Sequence, residues 1–395
     1  MPSYPVNRQV RRHPRIAVAN PAIGDYLHGI AVWTPRMTLA PDITERLARA
    51  RADLRMGVPV VLEGATGGLV FAAETISAPR LAQLRSLGQA SLAITGWRAE
   101  TLKARAYDGD LARIILPSDV TLAWIKSIAD PADDLRAPMK GPLRTLRDGS
   151  ADLHRAAIAL TKAARLLPAA VVLPLPHPTA FALEHDLTRL PISAALTTAL
   201  SPLTEIVSAR LPLEVSEAGR LHIFRPDDGA EEHYAVEIGQ PDRAKPVLSR
   251  LHSACFTGDL LGSLKCDCGP QLRGALAQMG AEGAGVLLYL NQEGRGIGLA
   301  NKMRAYSLQD QGFDTVEANH RLGFEDDERD FRIGAEILKK LGFTKARLLT
   351  NNPAKVARLE GCGISVTERV PLKVGENRHN SHYLATKAAK SGHVL

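Results

Sequence analysis

Three of the four cysteines lie within fourteen positions of one another, in the run RLHSACFTGDLLGSLKCDCG at residues 250–269. Thiolates are preferred zinc ligands, and Cys266 and Cys268 can present two sulfurs to one ion while Cys255 approaches from a neighbouring loop. Three protein ligands leave one tetrahedral corner open, where a water loses its proton near neutral pH and becomes available for hydrolysis. The spacing also allows a closed structural zinc site with Cys362 or His252 as fourth ligand, or three reduced thiols without metal. Otherwise Cys362 is interpreted as a small apolar filler after a helix.

Length and charge narrow the class of protein. At 395 residues the chain exceeds one ordinary core, so two domains are expected. The net charge is +7, but the basic residues are spread along the chain and aromatics make up only 5%, so phosphorylated small molecules are favoured over nucleic acid. Neither a run of eighteen apolar residues nor the apolar core of a signal peptide is found, so we expect no membrane partner, a cytoplasmic location and reduced thiols.

Helix and strand patterns alternate through the first half of the chain. Such alternation predicts an α/β (mixed α+β) fold with two domains, each a sheet layered with helices. We place a basic N-terminal arm at 1–22, a first domain at 23–204 and a second domain at 205–395. The arginines of the arm leave nucleic-acid binding as an alternative function.

The first half resembles dihydroxybutanone phosphate synthase, on the runs MGVPVVLEGATGGLVFAAE and RAAIALTKAARLLPAAVVLPL. That family binds magnesium with an acidic cluster, because magnesium requires oxygen ligands. Here Glu63 is the sole carboxylate before the glycine-rich run 64–68, and Leu153, His154 and Arg155 stand in place of a His-Thr-Glu segment. The resemblance therefore implies a domain that has lost its catalysis, and His154 is expected on a helix surface.

The second half carries two candidate anion-binding turns. The apolar run GVLLYL at 285–290 predicts a buried strand, and NQEGRGIG follows it directly at 291–298. Glycines there let backbone amides approach an anion. The Glu293 carboxylate can accept hydrogen bonds from a nucleobase, and the forked guanidinium group of Arg295 can bind a phosphate group. Asn351 is a plausible cap of the next helix, which would place Thr350 and Lys355 beside its positive end. A plain helix cap and a solvated lysine are the alternative.

With these pieces in place, residues 205–395 resemble GTP cyclohydrolase II over nearly their whole length. The matching runs are HSACFTGDLLGSLKCDCGPQL, QEGRGIGLANKMRAYSLQDQGFDTVEANHRLGF, DERDF, RLLTNNPAKV, ERVPL and YLATKAAKSGH. The resemblance implies one Zn²⁺ per chain on Cys255, Cys266 and Cys268. It further implies a nucleotide site lined by Arg250, Gln271, Glu293, Arg295, Thr315, Thr350 and Lys355.

The resemblance also implies three catalytic residues. Asp327 would be the proton acceptor, Arg329 the residue that attacks the α-phosphate, and Tyr306 a polar participant near the reacting ring. From the residues alone, Asp327 in the acidic run EDDERD would instead be part of a solvated turn.

Two departures from the family pattern bear on the substrate. Ala254 replaces a glutamate beside the first cysteine, and Asn291 replaces an arginine before the QEGR motif. A guanine whose polar edges lose their hydrogen-bond partners binds less well. We therefore expect this chain to belong to the uracil-catabolism branch of the superfamily, which opens the ring of UMP. The alternatives are a GTP cyclohydrolase II of riboflavin biosynthesis, releasing formate and pyrophosphate, and a nucleotide-binding module without catalysis. The resemblance further implies a homodimer.

Overall fold

The computed structural model describes residues 39–197 and 199–381, and its first sheet lies in the first of these ranges. The predicted arm 1–22 and the run YLATKAAKSGH lie outside the described residues. The first half contains β1 (Val60–Glu63), β2 (Gly68–Ala72), β3 (Ser91–Thr95), β4 (Leu111–Ile115), β5 (Ala169–Pro174) and β6 (Arg189–Pro191). Its helices are α1 (Ile43–Arg55), α2 (Ala78–Leu87), α3 (Gly96–Thr101), α4 (Leu122–Ala129), α5 (Asp152–Ala163), α6 (Pro178–Glu184) and α7 (Ile192–Leu196).

The first sheet is covered on both faces. Its strands run in the order β4-β3-β5-β2-β1-β6, antiparallel except for the parallel pair β1 and β6. Successive strand residues point to opposite faces. Leu69 and Phe71 of β2 accordingly enter one apolar cluster, and Val70 and Ala72 enter the other. Burial on both faces explains why these strands are continuous apolar runs.

The second half builds a second sheet. Its strands are β7 (Leu203–Arg210), β8 (Arg220–Pro226), β9 (His233–Gly239), β10 (Val247–Ser253), β11 (Ala284–Leu290), β12 (Lys345–Leu349) and β13 (Ser365–Val370). Its helices are α8 (Cys268–Glu282), α9 (Leu299–Asp310), α10 (Thr315–Leu322), α11 (Arg332–Lys340) and α12 (Pro353–Gly361). The predicted class, two sheets layered with helices, is confirmed. The boundary placed near 204 stays a prediction.

The strand order of the second sheet determines where a ligand can bind. The order is β13-β12-β10-β11-β9-β8-β7, and β10 is parallel to both β11 and β12. The chain leaves β10 for β11 on one side and later returns to β12 on the other, which opens a crevice beyond the carboxyl ends of these strands. The cysteine loop, the loop 291–298 and the turn at Thr350 all emerge at that edge.

Helices α9 and α10 of the second half also belong to the core of the first half. Ala305 and Leu308 of α9, and Leu322 of α10, are buried in the apolar cluster that covers one face of the first sheet. No described helix is both long and apolar enough to cross a membrane.

The cap of α12 differs from the prediction by one residue. Asn352, not Asn351, is the N-cap, and its side chain accepts a hydrogen bond from the Ala354 amide at 2.9 Å. Asn351 instead exchanges two hydrogen bonds with the backbone of Leu372, at 2.7 and 2.9 Å. Since Pro353 follows directly, the residue before it takes the extended conformation that a cap requires.

The expectation that His154 lies on a helix surface is wrong. It is on the buried face of α5, 4% exposed, and its Nε2 lies 2.9 Å from the hydroxyl of buried Ser91. Its Nδ1 has no hydrogen-bond partner among the described residues. Burial, followed by the nearby Arg113 charge, lowers the pKa of His154 to about 4.

Acidification is expected to destabilise the protein through His154. Because the folded pKa of about 4 lies below the ordinary 6.5, the unfolded chain binds a proton more readily in this window. The stabilising contribution is complete above pH 6.5 and is lost as the pH falls toward 4, at a cost of up to about 3 kcal/mol. Urea unfolding between pH 8 and pH 4 should show a shallower dependence in His154→Gln, and an unchanged one in the exposed-site control His177→Gln. Equal slopes in all three proteins would contradict this.

Candidate active site

The three predicted thiols meet in the crevice. Cys255 follows β10, Cys266 precedes α8 and Cys268 begins it, and their three sulfurs lie within 4.8 Å of one another. The Sγ atoms of Cys255 and Cys266 are 3.7 Å apart. Two thiolates at about 2.3 Å from one tetrahedral zinc lie about 3.8 Å apart, so the spacing fits a shared metal ion.

Neither proposed fourth ligand belongs to this cluster. Among the described residues, the group of side chains close enough to share a metal contains only the three cysteines. His252 points its Nε2 at Asp259, 3.0 Å away, and Cys362 packs against the core of the second sheet at the end of α12. The arrangement therefore suits an open site better than a closed one.

Close packing of the loop holds the cysteines together. A Cβ on Gly258 would lie 2.8 Å from the sulfur of Cys266 and 3.0 Å from that of Cys255, so only glycine fits there. Buried Asp259 accepts hydrogen bonds from the Cys255 amide and the Tyr289 hydroxyl, both at 3.0 Å. The loop conformation is thus determined by contacts behind the thiols.

Lys302 is a central residue of the site that the sequence analysis missed. Its Nζ lies 2.9 Å from each of three acceptors: the Cys255 sulfur, the Thr257 hydroxyl and the Glu293 carboxylate. Burial would lower the pKa of Lys302, but Cys255 and Glu293 outweigh it and raise that pKa. Hydrogen bonds from Cys266 and Cys268, and then Lys302, hold the pKa of the Cys255 thiol below its ordinary value. Lys302 lies four residues before Tyr306, so both are expected on one face of the same helix. That spacing could have indicated Lys302 as a site residue.

The glycine-rich loop is held beside the thiols. Glu293 accepts a hydrogen bond from the Phe256 amide at 2.6 Å, which ties the loop to the cysteine segment. Arg295 has the left-handed φ of 63°, and its Nη1 donates to the Asp326 carbonyl at 3.1 Å. A Cβ on Gly296 would lie 2.7 Å from the Glu328 carbonyl, so this glycine permits the close approach of segment 325–330.

The floor of the site is a buried polar chain. Arg250 donates to the Leu349 carbonyl at 3.1 Å and to the side chain of Gln271, which donates to Asp267. Burial lowers the pKa of Arg250 to about 10. Its Nε is buried and has no hydrogen-bond partner among the described residues.

Asp327 and Arg329 form one unit. Arg329 donates to both carboxylate oxygens of Asp327, from Nε at 2.7 Å and from Nη2 at 2.8 Å. Burial would raise the pKa of Asp327, but the Arg329 hydrogen bonds outweigh it and lower that pKa. Arg329 lines the cavity, where its Nη1 lies 3.3 Å from the Ser253 hydroxyl, whereas Asp327 lies behind it.

The remaining walls come from α9, α10 and α12. The Tyr306 ring lies 5.2 Å from the Lys265 Nζ, and Thr315 at the start of α10 accepts a hydrogen bond from Gln309 at 3.2 Å. Lys355 in the first turn of α12 donates to the Leu251 carbonyl at 3.3 Å. Thr350 is buried and does not line the cavity, and its hydroxyl accepts a hydrogen bond from the Asn352 amide at 3.0 Å.

Eleven of the thirteen predicted site residues therefore line one cavity, all except Asp327 and Thr350. They are Arg250, Cys255, Cys266, Cys268, Gln271, Glu293, Arg295, Tyr306, Thr315, Arg329 and Lys355. The cavity is also lined by polar residues outside that set: His252, which was considered only as a fourth zinc ligand, and Ser253, Asp267, Lys302, Gln309 and Asn319. Thiols, cations and a carboxylate converge on one space, which suits a metal ion and a phosphorylated ligand.

Comparison with known proteins gives a matching family. A family model described as GTP cyclohydrolase II matches residues 204–371, as the resemblance predicted. A GTP cyclohydrolase-2 from Azospirillum brasilense is 45% identical over 358 residues, covering 88% of this chain and 93% of that protein. One from Azotobacter vinelandii is 61% identical over 175 residues, covering 44% of this chain and 84% of its own. The riboflavin biosynthesis protein RibBA of Bacillus mycoides is 59% identical over 165 residues, covering 42% of each chain.

Among solved structures, a two-domain 3,4-dihydroxy-2-butanone 4-phosphate synthase from A. baumannii matches with 19% identity. The match covers 82% of this chain and all of that one, at a TM-score of 0.30. This is the enzyme that the first half was predicted to resemble, but at that score the likeness indicates nothing about the site.

Proposed function

We propose that this chain, which belongs to the GTP cyclohydrolase II family, hydrolyses GTP to a diaminopyrimidine nucleotide, formate and pyrophosphate. One observation carries the proposal: the three thiols open onto the same cavity as Glu293, Arg329 and Lys355. That cavity offers a metal site, a carboxylate and cations together, which suits hydrolysis of the guanine ring and of the bond between the α- and β-phosphates.

The expectation of UMP as substrate is wrong. Relatives that are 45% and 61% identical are named GTP cyclohydrolase-2, and the longer match extends through the first half as well. The departure at Asn291 misled the prediction because its side chain does not line the cavity. It donates instead to the Glu232 carbonyl. Ala254 does line the cavity and lacks a carboxylate, but Glu293 still supplies one nearby.

Zinc is the metal that the donor set favours. The Cys255, Cys266 and Cys268 thiolates would hold it, and their spacing fits a tetrahedral ion. A zinc ion with three thiolate ligands supplies an activated water for attack on an electron-poor ring carbon. Lys302 beside Cys255 offsets part of the negative charge that three thiolates bring together.

The other residues bind the nucleotide and move protons. Glu293 can accept hydrogen bonds from the N–H groups of a guanine edge, and Arg295 and Lys355 can bind phosphate oxygens. Tyr306 lines the cavity, and we propose that its phenol donates a proton to the opening ring. From the family resemblance we propose that a guanidinium nitrogen of Arg329 attacks the α-phosphate and displaces pyrophosphate, and that water then hydrolyses the N–P bond. We propose that Asp327, which is paired with Arg329, accepts the proton that this nitrogen loses.

Turnover of GTP by the zinc-loaded protein tests the proposal. We expect formate and pyrophosphate to appear in equal amounts as guanine absorbance is lost, while UMP is left unchanged. Removal of zinc with a chelator should stop the reaction, and added zinc should restore it. If GTP binds and neither formate nor pyrophosphate is formed, the proposal is wrong, and a nucleotide-binding module without catalysis is favoured instead.

Three further features stay proposals. Riboflavin biosynthesis as the setting is supported by the name of the Bacillus relative. A homodimer follows from the family resemblance. A cytoplasmic location is supported by the free thiols, since such a cluster persists in a reducing compartment.

A further inference from the structure

Among the described residues, the cysteine cluster of the second half is the one group of three or more metal-ligating side chains close enough to share an ion. Glu63, the carboxylate before the glycine run, is engaged by the Thr179 hydroxyl at 2.6 Å and by Arg189 at 3.2 Å. The first half does make contacts with the elements that line the cavity.

Helix α9 presents one side to the cavity and another to the first half. Lys302 and Tyr306 line the cavity. Arg304, between them in sequence, pairs with Glu74 at 2.9 Å and with Asp130 at 3.2 Å, and both carboxylates belong to the first half. The position of the cavity wall therefore depends on contacts from residues 41–197.

Arg165 is a residue of the first half that contacts the glycine-rich loop 291–298. It follows the end of α5 with a φ of 58°, a left-handed conformation that costs a non-glycine residue about 1 kcal/mol. The Arg165 amide donates a hydrogen bond to the Lys162 carbonyl at 2.8 Å, and the Leu166 amide donates one to the Thr161 carbonyl at 3.0 Å. This pair of bonds is typical of a helix end at which glycine is the usual residue. An arginine is an uncommon residue at such a position, so the contacts of its side chain are the feature that distinguishes it.

That side chain contacts the glycine-rich loop directly. Its Nη2 donates to the Asn291 carbonyl at 3.2 Å, and its Nη1 pairs with Glu231 at 2.8 Å. Its own carbonyl accepts from the fully buried Asn301 side chain at 3.1 Å. A Cβ on Gly298 would lie 3.3 Å from the Cβ and Cδ of Arg165, so this glycine makes room for the arginine.

We propose that the first half positions the substrate loop 291–298, and that Arg165 is its positioning residue. The contacts fall on both ends of the loop, at Asn291 and at Gly298, so they set the path of Glu293 and Arg295 between them. Arg165 lines no part of the cavity itself and acts through the loop. This inference rests on the proposed function, because it assigns Arg165 an effect on GTP.

Replacing Arg165 with glycine separates positioning from stability. Glycine relieves the left-handed strain, which offsets the lost contacts, so we expect little change in the midpoint of urea unfolding. We expect the KM for GTP to rise about tenfold or more, with kcat changed less than about threefold and zinc content unchanged, because a displaced loop weakens binding. Arg165→Lys keeps the positive charge but lacks the forked guanidinium group. Its KM should lie between that of the unmodified protein and that of Arg165→Gly.

The matched control is Lys103→Gly. Lys103 is exposed and has a left-handed φ of 54°, far in sequence from any residue of the cavity, so glycine there relieves the same strain and should leave KM unchanged. An unchanged KM in folded, zinc-loaded Arg165→Gly would overturn the inference, as would a loss of stability with the KM intact. If Arg165→Gly does not fold, the KM of Arg165→Lys decides instead. An unmodified protein that does not turn over GTP would count against the proposed function and not against Arg165.

Discussion

Cys266→Ser is expected to lose its bound zinc and to turn over GTP at least about 10³-fold more slowly than the unmodified protein. Serine is not a thiolate donor, and the Cys266 sulfur lies 3.7 Å from that of Cys255, as for two ligands of one ion. With two thiolates left, the metal would be held too weakly to persist through purification. Zinc content per chain by atomic emission, measured beside the steady-state rate, checks both parts of the expectation.

Cys362→Ser is the matched control for this experiment. Cys362 is the one cysteine outside the cluster, half-buried at the end of α12. The same chemical change there should leave zinc content and GTP turnover unaltered. A Cys266→Ser protein that keeps one zinc per chain and its activity would show that the three thiols do not form the catalytic metal site.

The sequence predicted those parts of the site that are local. The thiol trio and the loop 291–298 each lie within twenty residues, and each follows a strand. The strand before the loop 291–298 is visible in the sequence as the apolar run 285–290. Parallel strands bring such loops to one edge, so Cys255 and Glu293 could be expected in one crevice. The glycine pattern was interpreted as an anion-binding turn, and that interpretation did not include the close approach of the Glu328 carbonyl to Gly296.

Other parts depend on long-range contacts that local patterns indicate weakly or not at all. Lys302 was missed because a lysine on a polar helix face is ordinarily solvated, and only the fold brings it against Cys255. The burial of His154 depends on which face of α5 meets the first sheet. Asn351 and Asn352 are both reasonable caps by residue type, and the backbone of Leu372 decides between them. The contact of Arg165 with loop 291–298 joins segments more than a hundred residues apart.

Asp327→Asn is expected to lower kcat/KM for GTP by about 10² to 10³-fold. An amide can accept only on its oxygen, so the paired hydrogen bonds from the Arg329 Nε and Nη2 cannot both persist. Arg329 then loses the geometry that directs it into the cavity, and a carboxylate proton acceptor is lost as well. Steady-state kinetics with GTP measure the loss. Asp326→Asn, in the same acidic run but exposed and paired with His320, should cost less than about threefold.

A double variant separates the two roles that Asp327 could have. If Asp327 acts through Arg329, removing both should cost no more than Arg329→Met alone, because residues that act as a unit are not additive. If Asp327 accepts a proton in its own right, the losses should multiply. The shared ion pair favours the first result, since Arg329 lines the cavity and Asp327 lies behind it. Full activity in Asp327→Asn would mean that Arg329 is held by other contacts, such as that with Ser253, and that the carboxylate is dispensable.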